Sequence, residues 1–182
     1  ISEHLSFQKN TGSTVIDWRG NIIVNGTRNG ELDIYSWEEK NLSLVSTLTH
    51  NEESLMRLGA TNSLSNWFID ICIHPIENQI LALKNDKILF WDIEQEKIPE
   101  IIEEPNLSYQ KKHVPLKVDW SLVYENYFLV ASANSVKLND IRIMSSMKGN
   151  LWKSVRPHKG LLRDVKWNPF IPYWFATAST DG

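Results

Sequence analysis

The sequence predicts an all-β chain built from a repeated meander of short antiparallel strands, and three observations carry that prediction. Four similar strands end at Trp18, Ile73, Trp120 and Trp167, spaced by 55, 47 and 47 residues, and self-similarity at such a period marks a repeat architecture. In every unit a second apolar strand follows, read as 22–27, 79–84, 127–133 and 173–179. Each then runs into a short polar turn: Arg28-Asn29-Gly30, Asn85-Asp86-Lys87, Asn134-Ser135 and Thr180-Asp181-Gly182. Asn, Asp and Gly tolerate positive φ, so tight hairpins are expected at these points.

The elements follow in order. The first strand of the last unit, Leu162-Arg163-Asp164-Val165-Lys166-Trp167, alternates apolar and polar residues before Asn168-Pro169 turns the chain, which is a strand pattern with a stop. The third strands are read as 32–37, 88–92 and 136–140, and their alternation suits burial between stacked sheets. Two long segments fall between units: 51–66, polar with Leu55, Met56 and Leu58 near its middle, and 94–112, with five Glu and one Lys between Glu94 and Glu104. Both read as exposed insertions long enough to bind a partner, through Leu55, Met56 and Leu58 in one and Glu100, Glu103 and Glu104 in the other. For the apolar trio, packing of a short helix back onto the sheets is an equal alternative.

This grammar resembles the WD40 repeat. The dipeptide that names the family occurs intact at Trp91-Asp92, is degenerate at Trp37-Glu38, and survives as Asn139-Asp140-Ile141-Arg142 with the Trp replaced. The resemblance implies a β-propeller, a ring of four-stranded blades. Blades are expected at about 13–50, 67–103, 113–156 and 158–182, the last cut short, so the chain reads as part of a longer protein with a seven-bladed ring. Family blades carry a polar network joining a His before the first strand, a hydroxyl in the second, an Asp in the next turn and the Trp of the third. Here the resemblance assigns His158, Ser179 and Asp181 in the last unit, His113 and Ser132 in the third, and Asp86 and Trp91 in the second. Such networks are braces, because buried polar groups must be paired. A hydrolase reading of His, Ser and Asp is the weaker one, since no Gly-x-Ser-x-Gly elbow occurs.

Composition narrows the function classes. The 182 residues are 42% hydrophobic and 10% aromatic, with eight Trp, several of them at strand ends where indoles are expected to fill the gaps between neighbouring blades. A net charge of −3 argues against wholesale polyanion binding. Cys72 is the only cysteine, so no internal disulfide is possible and a reducing compartment, cytoplasmic or nuclear, is expected. No apolar run reaches the roughly 20 residues of a membrane span. Of the sequons at Asn25, Asn41 and Asn106, Asn25 falls inside a predicted inner strand, so they are read as chance. His4, His50, His74, His113 and His158 are scattered without ligand spacing, so no metal or other cofactor is expected, and His74 is read as a turn residue before Pro75.

The sharpest electrostatic feature lies between Arg142 and Lys166, with seven Lys or Arg against one acid, Asp164. Lys148, Lys153, Arg156, Lys159 and Arg163, with Trp152 as a stacking platform, form a candidate surface for phosphate or an acidic partner. A solvated outer strand and loop is the favoured alternative. The WD40 resemblance implies a non-catalytic scaffold binding other protein subunits, with no small-molecule substrate. The second reading is a nucleic-acid- or chromatin-facing subunit using the basic segment. The turn Trp167-Asn168-Pro169-Phe170 with Pro172 is also similar to one in dynein intermediate chains, although Asp181-Gly182 departs from their Asp-Trp; a motor-associated or trafficking subunit is the third.

Overall fold

Alternation along the strands sorts side chains to two faces, and the sheets that result are stacked through those faces. The computed structural model describes residues 12–49, 67–84, 87–94, 100–103, 115–144 and 153–182. Within them, β1 (Ser13–Arg19), β2 (Ile22–Thr27), β3 (Glu31–Glu38) and β4 (Asn41–Thr49) form one antiparallel sheet in chain order. A second contains β5 (Asp70–Ile73), β6 (Gln79–Lys84), β7 (Lys87–Asp92) and β8 (Glu100–Glu103). The third contains β9 (Pro115–Trp120), β10 (Tyr127–Ser132), β11 (Ser135–Asp140) and β12 (Lys153–Val155). The last pairs β13 (Leu162–Trp167) with β14 (Phe175–Ser179), and a four-residue helix, α1 (Ile141–Met144), follows β11. The described residues are thus predominantly β-strand, consistent with an all-β chain, and none of these sheets closes on itself among them.

The second strands show why long apolar runs were needed. In β6, Ile80 and Ala82 join Val24, Leu32 and Ile34 of the first sheet in one core, whereas Leu81 and Leu83 join Val118, Trp120 and Phe128 of the third in another. In β10, Phe128 and Val130 face back to the second sheet, and Leu129 and Ala131 pack with Leu162, Val165 and Trp167 of the fourth. Strands β6 and β10 are therefore apolar on both faces, as a strand sandwiched between layers must be. Full burial of each Val, Leu, Ile or Phe among them contributes about 1.5–3 kcal/mol.

First strands lie beside first strands: β1 against β5, β5 against β9, and β9 against β13. Asp70 Oδ2 accepts the Val118 amide at 2.9 Å, and Cys72 Sγ accepts the Trp120 amide at 3.2 Å. Two steps along β5 match two steps along β9, so these strands run parallel.

Three expectations are corrected. Strand β8 occupies 100–103, so part of the segment read as an insertion is the fourth strand of its sheet, paired along Lys87–Phe90. Glu100 and Glu103 therefore lie on an edge strand, not in a loop. The Trp18 indole does not fill a gap between sheets: it is 60% exposed, donating Nε1–H to the Gly20 carbonyl at 2.8 Å and leaning on Trp37. Nothing among the described residues covers that face of β1. The second strand of the last unit begins at Phe175 instead of Tyr173, whose positive φ of 63° belongs to the turn, and β14 is largely exposed because only β13 pairs with it. Segment 51–66, with Leu55, Met56 and Leu58, lies outside the described residues, as does Glu104.

The β3–β4 hairpin turns on Glu39 (φ 45°) and Lys40 (φ 72°). Two consecutive positive φ values are the mark of a type I′ turn, which favours Asn followed by Gly. The double substitution E39N/K40G is therefore expected to stabilise the chain by about 0.5–1 kcal/mol. Urea denaturation measures this, and an unchanged or lower midpoint would refute it.

Candidate functional site

The loop entering the last unit is built around His158. Its Nδ1 lies 2.9 Å from Asp181 Oδ1 and its Nε2 lies 2.8 Å from Thr177 Oγ1. The second carboxylate oxygen, Oδ2, accepts the backbone N–H groups of Lys159 at 2.7 Å and Gly160 at 3.1 Å. Thr180 adds two further bonds, its Oγ1 accepting the Leu161 amide and its own amide donating to the Leu161 carbonyl. A Cβ on Gly160 would stand 2.7 Å from Thr180 Oγ1 and 2.9 Å from the Asp181 nitrogen, so only glycine lets these segments approach. The hydroxyl on the imidazole is thus that of Thr177. Ser179, which the sequence reading placed there, instead accepts the Asp181 amide at 3.4 Å. Period-two geometry explains the difference: Thr177 and Ser179 share a face of β14, and the His ring reaches the one deeper in the sheet.

The amide of Gly160 is the main cause that holds the Asp181 carboxyl far below the usual carboxylate range, with Ser179, the Lys159 amide and His158 adding to it against partial desolvation. Because folding lowers this pKa, the carboxylate contributes its stability fully above the unfolded value of about 4 and loses it only as pH falls through the lower folded value. The Lys159 and Gly160 amides are therefore expected to stay protected from hydrogen exchange at pH 4–5, and Asp181→Ala to expose them. Equal protection in both proteins would contradict this brace.

Further polar devices recur at matching positions. The residue after each of β5, β9 and β13 caps the following turn: His74 Nδ1 accepts the Ile76 and Glu77 amides, Ser121 Oγ those of Val123 and Tyr124, and Asn168 Oδ1 those of Phe170 and Ile171. Since Nδ1 accepts, His74 carries its proton on Nε2 and donates it to the Glu125 carbonyl at 2.8 Å, linking two neighbouring turns. The residue before each of the aligned positions Trp18, Ile73 and Trp120 accepts the next unit's amide: Asp17 from Ile73 (2.7 Å), Cys72 from Trp120 (3.2 Å) and Asp119 from Trp167 (2.7 Å). Asp119 also meets Lys166 Nζ at 2.7 Å, and Asp70 meets Lys117 Nζ at 3.1 Å. Burial pushes the Asp70 carboxyl up against the opposing Val118 amide and Lys117. Burial, reinforced by the charges of Asp17 and Asp119, pushes the Cys72 thiol up, which keeps it protonated and inert.

Among the other predicted site residues, Trp91 is fully buried and packs edge-on to Phe68 at 5.9 Å. Ser132 is buried at the end of β10, and its carbonyl accepts the Ser135 hydroxyl. Asp86, His113, Lys148 and Trp152 lie outside the described residues. Lys153 and Arg156 are exposed on and beside the edge strand β12, and Lys159 and Arg163 are exposed around the His158 loop. Among the described residues, no cluster of three His, Cys, Asp or Glu could hold a metal, and no helix is long and apolar enough to cross a membrane. The Asp17-Cys72-Asp119 series went unread, although Asp17-Trp18 and Asp119-Trp120 both place an acid before the aligned residue. Cys72 at the middle position hid the rule. Compared with known proteins, the chain matches no protein-family model and no curated protein.

Proposed function

We propose that this chain is part of a WD40-like β-propeller that serves as a non-catalytic scaffold for other protein subunits in an intracellular complex. The observation that carries the reading is the repeated joint: three successive sheets each tie their first strand to the next by a side chain on a backbone amide. A stack coupled this way supports a rigid platform with loops at both ends, suited to recognition more than to moving parts. Thr177, His158 and Asp181 form the hydroxyl–imidazole–carboxylate line that nucleophilic triads use. The bracing role is preferred because Asp181 is also committed to two backbone amides across the loop.

The test is recovery of the full-length protein from cell extract at low and high salt, with nuclease treatment in parallel. A fixed set of protein chains surviving both treatments is expected. Exposed Lys153, Arg156, Lys159 and Arg163 favour one second reading, a nucleic-acid-facing surface. Recovery that collapses with salt or nuclease would replace the scaffold reading with that one.

A further inference from the structure

Strands β5, β9 and β13 each end in a turn whose shape is held from inside, and the side chains at the tips point outward and are apolar. Ile76 is 72% exposed, Phe170 86% and Tyr173 64%, with Leu122 and Val123 also exposed on the turn between them. These turns adjoin: His74 bonds the Glu125 carbonyl, and the Tyr124 and Tyr173 rings lie 4.7 Å apart. The tips thus form one continuous surface across three units. Monomeric proteins rarely expose apolar residues in a contiguous row unless a partner uses them. Because His74, Ser121 and Asn168 fix the turn backbones, little ordering entropy is lost when such a partner docks.

Charge identifies the partner. Turns 74–78, 121–126 and 168–174 contain two acids, Glu77 and Glu125, at matching positions and both exposed, and no Lys or Arg. We propose that this row of turn tips is a docking surface for a protein segment that presents apolar side chains flanked by Lys or Arg. Apolar contacts with Ile76, Phe170 and Tyr173 supply the anchor, and the two carboxylates select the basic flanks and repel acidic ones. The inference rests on the scaffold reading and names one of its surfaces.

A phage-displayed library of random 16-residue peptides selected on the full-length protein tests it. The enriched peptides are expected to carry apolar positions bracketed by Lys or Arg. Their affinity is expected to fall about tenfold or more in F170S/Y173S and again in E77K/E125K. All four side chains are exposed, and an unchanged thermal melt confirms that each variant folds. The proposal is overturned if no peptide is enriched, if enriched peptides lack the basic bias, or if they bind both variants as tightly as the parent. Loss of binding to phosphatidylcholine–phosphatidylserine vesicles in F170S/Y173S, with no peptide selected, would assign the surface to a membrane instead. If extract recovery still yields salt-stable protein partners for parent and variants alike, only this surface fails. If the parent recovers none, the scaffold reading fails with it.

Discussion

Trp120→Ala is expected to be the most damaging single substitution, lowering stability by about 3–5 kcal/mol. The indole is 1% exposed and meets the His74 ring at 4.5 Å, Phe128 at 5.8 Å and Phe90 at 6.4 Å. Its Nε1–H donates to the Glu125 carbonyl, the same oxygen that receives His74. Removing it empties the centre of the core between the second and third sheets and takes one of two donors from the Glu125 carbonyl. A domain is typically stable by only about 5–15 kcal/mol, so the variant should sit near its unfolding threshold. Trp120→Phe should keep most of the ring contacts and lose less. Trp18→Ala, on an exposed indole, should change stability by under about 1 kcal/mol. Equilibrium denaturation of the full-length protein separates these, and comparable losses for Trp18→Ala and Trp120→Ala would mean that the two sheets do not pack as described.

Asp119→Ala is expected to cost about 2–3 kcal/mol by a different route. Its carboxylate, buried at the junction of β9 and β13, accepts the Trp167 amide and pairs with Lys166. Truncation leaves a buried N–H without an acceptor, and that desolvated donor sets most of the cost. Asp119→Asn, which retains an acceptor oxygen, should lose about 1 kcal/mol. Lys166→Ala should lose less still, because the Lys side chain is largely exposed and its pairing is screened. Equal losses for the Asp119 and Lys166 variants would show that the ion pair, not the amide, carries the joint.

How far the chain could be read depended on the range of the interaction involved. The strands were legible because burial on both faces leaves a local mark: Ile80 to Leu83 and Phe128 to Ala131 are unbroken apolar runs. The His158–Asp181 pair was legible because its two ends flank one hairpin whose turn chemistry is written in Thr180-Asp181-Gly182. Thr177 was missed because two hydroxyls share one strand face, and only depth in the sheet tells them apart. Strand β8 falls within the expected second blade, 67–103, but was also read as part of an insertion because Glu100-Ile101-Ile102-Glu103 lies among acids and prolines, and pairing with β7 decides its structure. Trp18 was misjudged because an aligned indole says where a strand ends and nothing about whether a neighbour covers it. The joint through Asp17, Cys72 and Asp119 spans 48 residues or more at each step, beyond any local pattern.

Successive sheets are joined first strand to first strand by this repeated acceptor, as the inner strands of a propeller would be. A crystal structure of the full-length protein tests it most directly. Strands β1, β5, β9 and β13 are expected in that order around one axis, with Asp17, Cys72 and Asp119 each on the next unit's amide. First strands at the periphery, or sheets stacked in another order, would contradict it.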